Sequence, residues 1–117
     1  MEVKATAKRI GTGARKARRY GDLVRGQSVE QARGMLSVQP SPAARALLKC
    51  LNSAIANAEN NHGLDGADLR IASLMVDEGL KMPRMRARAR GRGERYYRRT
   101  CHITVVVSDE QPEKASR

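Results

Sequence analysis

Apolar positions follow two rhythms along this chain, and the changes of rhythm divide it into elements. Val3, Ala5 and Ala7 alternate with Lys4 and Lys8 over residues 3–10, the period of two that predicts a short strand. GTG at 11–13 interrupts it, and Thr12 stands where a residue would cap a helix over ARKARRYGDLVRG, 14–26. Ala14, Ala17, Leu23 and Val24 make a partial apolar stripe there, with Gly26 as the stop. Ser28 caps a second, short helix, VEQARGMLS, whose Val29, Ala32, Met35 and Leu36 share one face before Pro40 ends it. The third helix is the clearest. Ser41 is the N-cap and Pro42 the first helical residue, where its missing N–H costs nothing. Ala44, Leu47, Leu48, Leu51, Ile55 and Ala58 then hold the 3.6 period to about residue 60, and Asn60, Asn61 and Gly63 close it.

After a turn-forming loop, HGLDGAD at 62–68, the rhythm returns to two. Leu69, Ile71, Leu74 and Val76 predict a strand whose alternation slips at Ala72–Ser73, the mark of a bulge. TCHITVVV at 100–107 is a second strand, with Cys101, Ile103, Val105 and Val107 on one face. Between them, residues 81–99 read KMPRMRARARGRGERYYRR and have almost nothing to bury. The simplest geometry is a long hairpin, spanning about 76–104, rooted in the sheet and projecting from it. Its outer arms would be nine residues, or about 30 Å at strand rise. GRG at 91–93 belongs at the tip. A lone ribbon is marginal in water, so the arm needs a partner to hold it. The pattern as a whole predicts an α+β fold: three helices packed on a small antiparallel sheet, with a long protruding β-hairpin. Residues 1–110 form one domain, and 111–117 a polar tail expected to be disordered.

Charge turns that outline into a functional expectation. The net charge is +11 and the pI about 10.6, the electrostatic footprint of nucleic-acid binding. It is unevenly spread. Residues 1–26 hold eight basic residues against two acids, residues 27–80 four against six, and residues 81–99 nine against one. Arginines at 84, 86, 88, 90 and 92 alternate with Met85, Ala87, Ala89 and Gly91, so an extended chain would put guanidiniums on one face and small side chains on the other. Met82-Pro83 and the glycines at 91 and 93 are expected to interrupt that alternation. In this segment Arg outnumbers Lys eight to one, and its planar fork binds phosphate bidentately and stacks on bases. Tyr96 and Tyr97 suit either base stacking or packing of the ribbon.

Other chemistry is thin. His62 and His102 have neither metal-ligand spacing nor an obvious catalytic partner, and capping or surface roles suit them. Asp77-Glu78 is an acidic pair at the hairpin's base, but adjacent strand residues point to opposite faces; pairing with nearby Arg or shaping a turn at Gly79 fits better. Cys50 and Cys101 read as small core residues in a reducing compartment, not as a disulfide framework or metal site. The first residues show no apolar leader and no run of 18 apolar residues occurs, so the chain reads as cytoplasmic with no membrane partner. No cofactor and no metal are expected.

ARKARRYGDLVRG at 14–26, LNSAIANAENNHGLDGADL at 51–69, VDEG at 76–79 and RARGRGERYYRRTCHITVVV at 88–107, in this order and spacing, resemble the bacterial form of the ribosomal protein L-twenty-two family of the large subunit. The resemblance covers residues 3–108. It implies a structural protein without catalysis that binds 23S ribosomal RNA and supports subunit assembly. It also implies a hairpin that lines the nascent-peptide exit tunnel, facing ribosomal protein L-four at the constriction, with the nascent peptide and neighbouring large-subunit proteins as partners. By matching position, the RNA-binding residues would be Lys8, Arg9, Arg15, Lys16, Arg18, Arg19, Arg25, Lys81, Arg84, Arg86, Arg88, Arg90, Arg92, Arg95, Arg98 and Arg99. The tunnel-lining residues would be Met82, Pro83, Arg84, Arg88, Ala89, Arg90, Gly91, Arg92 and Gly93. Met82, Pro83 and Arg84 fall on the segment linked in the family to macrolide sensitivity. Leu80 and Ala87 stand where the family commonly has Pro, and Pro83 where it usually has a basic residue. The leading rival is a DNA architectural protein with a minor-groove β-arm, although such arms usually carry an apolar wedge or Pro at the tip. An enzyme acting on RNA is a distant third, since no acid–base or metal set is present.

Overall fold

A computed structural model describes residues 2–87, 91 and 93–109. The expectations for Arg88, Ala89, Arg90, Arg92 and the tail 111–117 lie outside the described residues, as do the side chains of Arg86 and Arg95. The elements run β1 (Glu2–Ile10), α1 (Ala14–Val24), α2 (Val29–Ser37), α3 (Pro42–His62), a 3₁₀ turn (Gly66–Asp68), β2 (Arg70–Ala87) and β3 (Gly93–Ser108). The strands form one antiparallel sheet in the order β1-β3-β2. Three helices lie against it, and β2 and β3 extend past β1 as a two-stranded arm that gives the molecule a long axis of 61 Å.

The caps explain most helix boundaries. Ser28 Oγ accepts from the Gln31 N–H at 3.3 Å, and Ser41 Oγ accepts from the Ala43 N–H at 3.2 Å, satisfying donors the helices leave open. Gly63, in the left-handed conformation, closes α3. At α1 the expectation needs correcting: the cap is Gly13, not Thr12, and no side chain bonds the first turn.

The core is aliphatic. Ala43, Ala44, Leu47, Cys50, Leu51, Ala54, Ile55 and Ala58 of α3 face Val3 and Ala5 of β1 and Ile103, Val105 and Val107 of β3. Alanines at the helix contacts let backbones approach the sheet closely without large aromatics. The α1 stripe differs from the periodic reading, because Leu23 is half exposed while Gly21 and Val24 are buried. A Cβ at Gly21 would stand 2.7 Å from Leu74 Cδ2, so α1 rests on β2 at its smallest residue and Leu23 rotates outward. Met35 likewise sits on the exposed side of α2.

Two bulges in β2 set which way its residues face. The first, between Ile71 and Ser73, is the slip visible in the hydrophobic pattern. The second lies between Glu78 and Lys81, so Gly79 sits in a continuous strand and not in a turn. β3 is regular and keeps Cys101, Ile103, Val105 and Val107 on the core side. Each extra residue in β2 therefore shifts the phase of its alternation by one. Leu74, Val76 and Glu78 share the core-side row before the second bulge, and Lys81, Pro83 and Met85 continue it afterwards.

Candidate nucleic-acid interface

The second bulge sorts the arm into two faces. Cross-strand pairs share a face. On one lie Met82 opposite Arg98 and Arg84 opposite Tyr96; on the other lie Lys81 opposite Arg99, Pro83 opposite Tyr97, and Met85. Pro83 does not interrupt the ribbon. It sits in register within a two-stranded arm, where β2 has a free outer edge that tolerates a missing N–H. Lys81, Pro83, Arg84, Met85, Tyr96, Tyr97, Arg98 and Arg99 are exposed, and Met82 is half-buried. The two tyrosines point to opposite faces, so only one can accompany Arg84. The basic alternation is thus real at Arg84, but basic residues occupy both faces at the arm's base. Gly91 is exposed with φ +75, and Gly93 is exposed opposite Ala87.

The basic residues of the first 26 positions take two kinds of role. Arg15, Lys16 and Arg19 are exposed along α1. Arg18 and Arg25 also work internally. Arg18 Nε donates to the Val76 carbonyl at 3.0 Å, and Arg25 donates through one terminal nitrogen to the Leu74 carbonyl at 2.8 Å. Both carbonyls lie on β2, an edge strand, so the guanidiniums satisfy acceptors that no strand pairs. The other terminal nitrogen of Arg25 makes an ion pair with Asp22 at 2.5 Å. Lys8 and Arg9 are exposed at the end of β1, where the register with β3 shifts between Ala7 and Ile10.

The two basic regions, far apart in sequence, meet. A cleft of about 470 Å³ between α1 and the arm's root is lined by Arg15, Arg18 and Arg19 from one side and Lys81 and Arg99 from the other. Gly13, Ala14, Gly79 and Thr100 line it with little bulk, and Asp22 and Glu78 contribute carboxylates. Sequence reasoning found these cations and set Glu78 near arginine, but it found neither their convergence nor Gly79 and Thr100 as their neighbours. The second bulge brings this about, and it is signalled only by a glycine. Thr100 is buried, and its Oγ1 donates to the Leu80 carbonyl at 2.8 Å across the bulge.

Among the described residues the histidine and cysteine side chains have structural roles or stand apart from one another. Among the described residues no three His, Cys, Asp or Glu side chains cluster as metal ligands would. His102 is occupied structurally, its Nδ1 accepting the Arg9 backbone N–H at 3.0 Å. Cys50 and Cys101 are buried and free, with burial pushing both thiols above their ordinary pKa; the Arg18 charge partly opposes this at Cys101. No helix among the described residues is long and apolar enough to cross a membrane.

Comparison with known protein families matches residues 5–108 to ribosomal protein L22p/L17e. That span takes in every element from β1 through the arm to the end of β3. The chain therefore belongs to the ribosomal protein L22p/L17e family: it is a structural, rRNA-binding constituent of the large ribosomal subunit and not an enzyme.

Proposed function

We propose that the globular part docks on rRNA through α1 and the end of β1, and that the arm threads between RNA segments to line the nascent-peptide exit tunnel. In this reading Lys8, Arg9, Arg15, Lys16, Arg19, Lys81, Arg84, Arg98 and Arg99 engage phosphates. Arg18 and Arg25 combine that role with holding α1 to β2. Arg86, Arg88, Arg90, Arg92 and Arg95 carry the contact outward. Met82, Pro83, Arg84 and residues 88–93 border the tunnel, with ribosomal protein L-four across the constriction and the nascent peptide passing between. Gathering rRNA segments around one arm supports subunit assembly.

One observation carries this reading. Beyond its root the arm leaves the core as a two-stranded ribbon whose described side chains are mostly exposed, and it is cationic on both faces at its base. Neutralising phosphates and releasing their counterions supplies the stabilisation the ribbon lacks by itself. The test has two arms. The protein is expected to stay with the large subunit through a moderate-salt wash, and a photoreactive residue replacing Arg90 is expected to capture nascent chains in translating ribosomes. Loss of the protein in the wash contradicts the docking; capture of rRNA alone contradicts the tunnel lining.

A further inference from the structure

We propose that the cleft between α1 and the root of the arm is a single binding site for a turned, unpaired segment of RNA backbone. The inference rests on the rRNA-binding function and adds to it a place and a substrate conformation. Five cations from three elements, α1, β2 and β3, line one concavity, against two carboxylates, of which Asp22 is already paired to Arg25. Like charges held together from separate elements repel, and polyanionic ligand relieves that repulsion. The shape selects among polyanions. At about 470 Å³ the cleft lies within the range of small-ligand sites, and it encloses a few atoms of backbone, not the convex side of a duplex. Gly13 and Ala14 add little bulk to the walls beside Arg15, Arg19 and Arg99. RNA loops and bulges present backbone in this compact form.

Glu78 adds to the selection. Among the described residues it has no ion-pair partner, although it stands in a cationic cleft. A carboxylate there repels phosphate on its own side and accepts from a donor. A ribose 2′-hydroxyl or an exocyclic base amine meets that requirement. The site thus reads a nucleotide by both ends, with phosphates on the guanidiniums and a hydroxyl or amine on Glu78.

The test is hydroxyl-radical footprinting of the full chain on large-subunit rRNA, comparing Arg19→Gln and Arg99→Gln with wild type. Arg45→Gln, on the exposed side of α3, is the control. Both cleft substitutions are exposed, so the fold is retained. The expected result is that each removes protection from the same short, unpaired RNA segment, while Arg45→Gln leaves it intact. Loss of protection from two separate segments, or from a continuous duplex, overturns the single-site proposal and leaves rRNA binding standing. A wild-type chain that protects no rRNA sinks the function on which the proposal rests.

Discussion

The backbone N–H of Arg9 donates to Nδ1 of His102, and Arg9 has φ +58, the one positive value among described non-glycine residues. The imidazole bridges β3 to the point where β1 leaves register, holding a left-handed residue that presents Lys8 and Arg9 outward. Left-handed geometry costs a residue with a Cβ about 1–2 kcal/mol. His102→Leu is therefore expected to lose about 1 kcal/mol, and Arg9→Gly to gain about 0.5 kcal/mol after its extra chain entropy. Urea unfolding of both variants checks the pair of signs.

Gly79 is required by close approach. A Cβ there would lie 2.5 Å from Thr100 Oγ1, a buried hydroxyl already committed to the Leu80 carbonyl, and 3.1 Å from His102 Cε1. Gly79→Ala must displace one of them, at an expected cost of about 1–3 kcal/mol. Urea unfolding measures that cost. Amide exchange should show the loss concentrated at 77–82 and 99–102.

The thiols predict a pH dependence. Burial raises the folded-state pKa of Cys50 and Cys101, so folding favours their protonated forms. Unfolded thiols ionise near about pH 8.5. Their contribution to stability is fully present below that value and is lost as pH rises towards and through the folded values. Unfolding midpoints should fall above that pH in wild type and fall less in Cys50→Ala. The folded protein should also react slowly with a thiol reagent at neutral pH.

Stability is expected to be concentrated in α3 and not in the arm. Leu47 is 1% exposed between the sheet and the neighbouring helices, and Leu47→Ala should cost about 2–5 kcal/mol. In the free chain, amides of 47–58 should be protected and those of 81–85 and 96–99 should exchange quickly. Equal protection in the arm would contradict its dependence on RNA.

Much of this fold was legible because its signals are local. Ser28, Ser41, Pro42 and Gly63 act on neighbouring backbone groups, and the first β2 bulge shows as a slip from Ile71 to Leu74. The features that were missed depend on distant partners. Leu23 turns outward because Gly21 meets Leu74, some fifty positions on. Arg18 and Arg25 look like simple surface cations until β2 supplies carbonyls for them. The same holds for the candidate site: the charges are plain in sequence, whereas their meeting in one cleft depends on a bulge that Gly79 alone announces.

The central claim is that α1 and the arm both bind rRNA through phosphates. The salt dependence of full-chain binding to large-subunit rRNA tests it most directly. Each phosphate contact removed should lower the slope of log affinity against log salt by about 1. Arg15→Gln with Arg19→Gln, and separately Arg84→Gln with Arg98→Gln, should each lower it by about 2. A slope unchanged from wild type in either double variant would contradict the account.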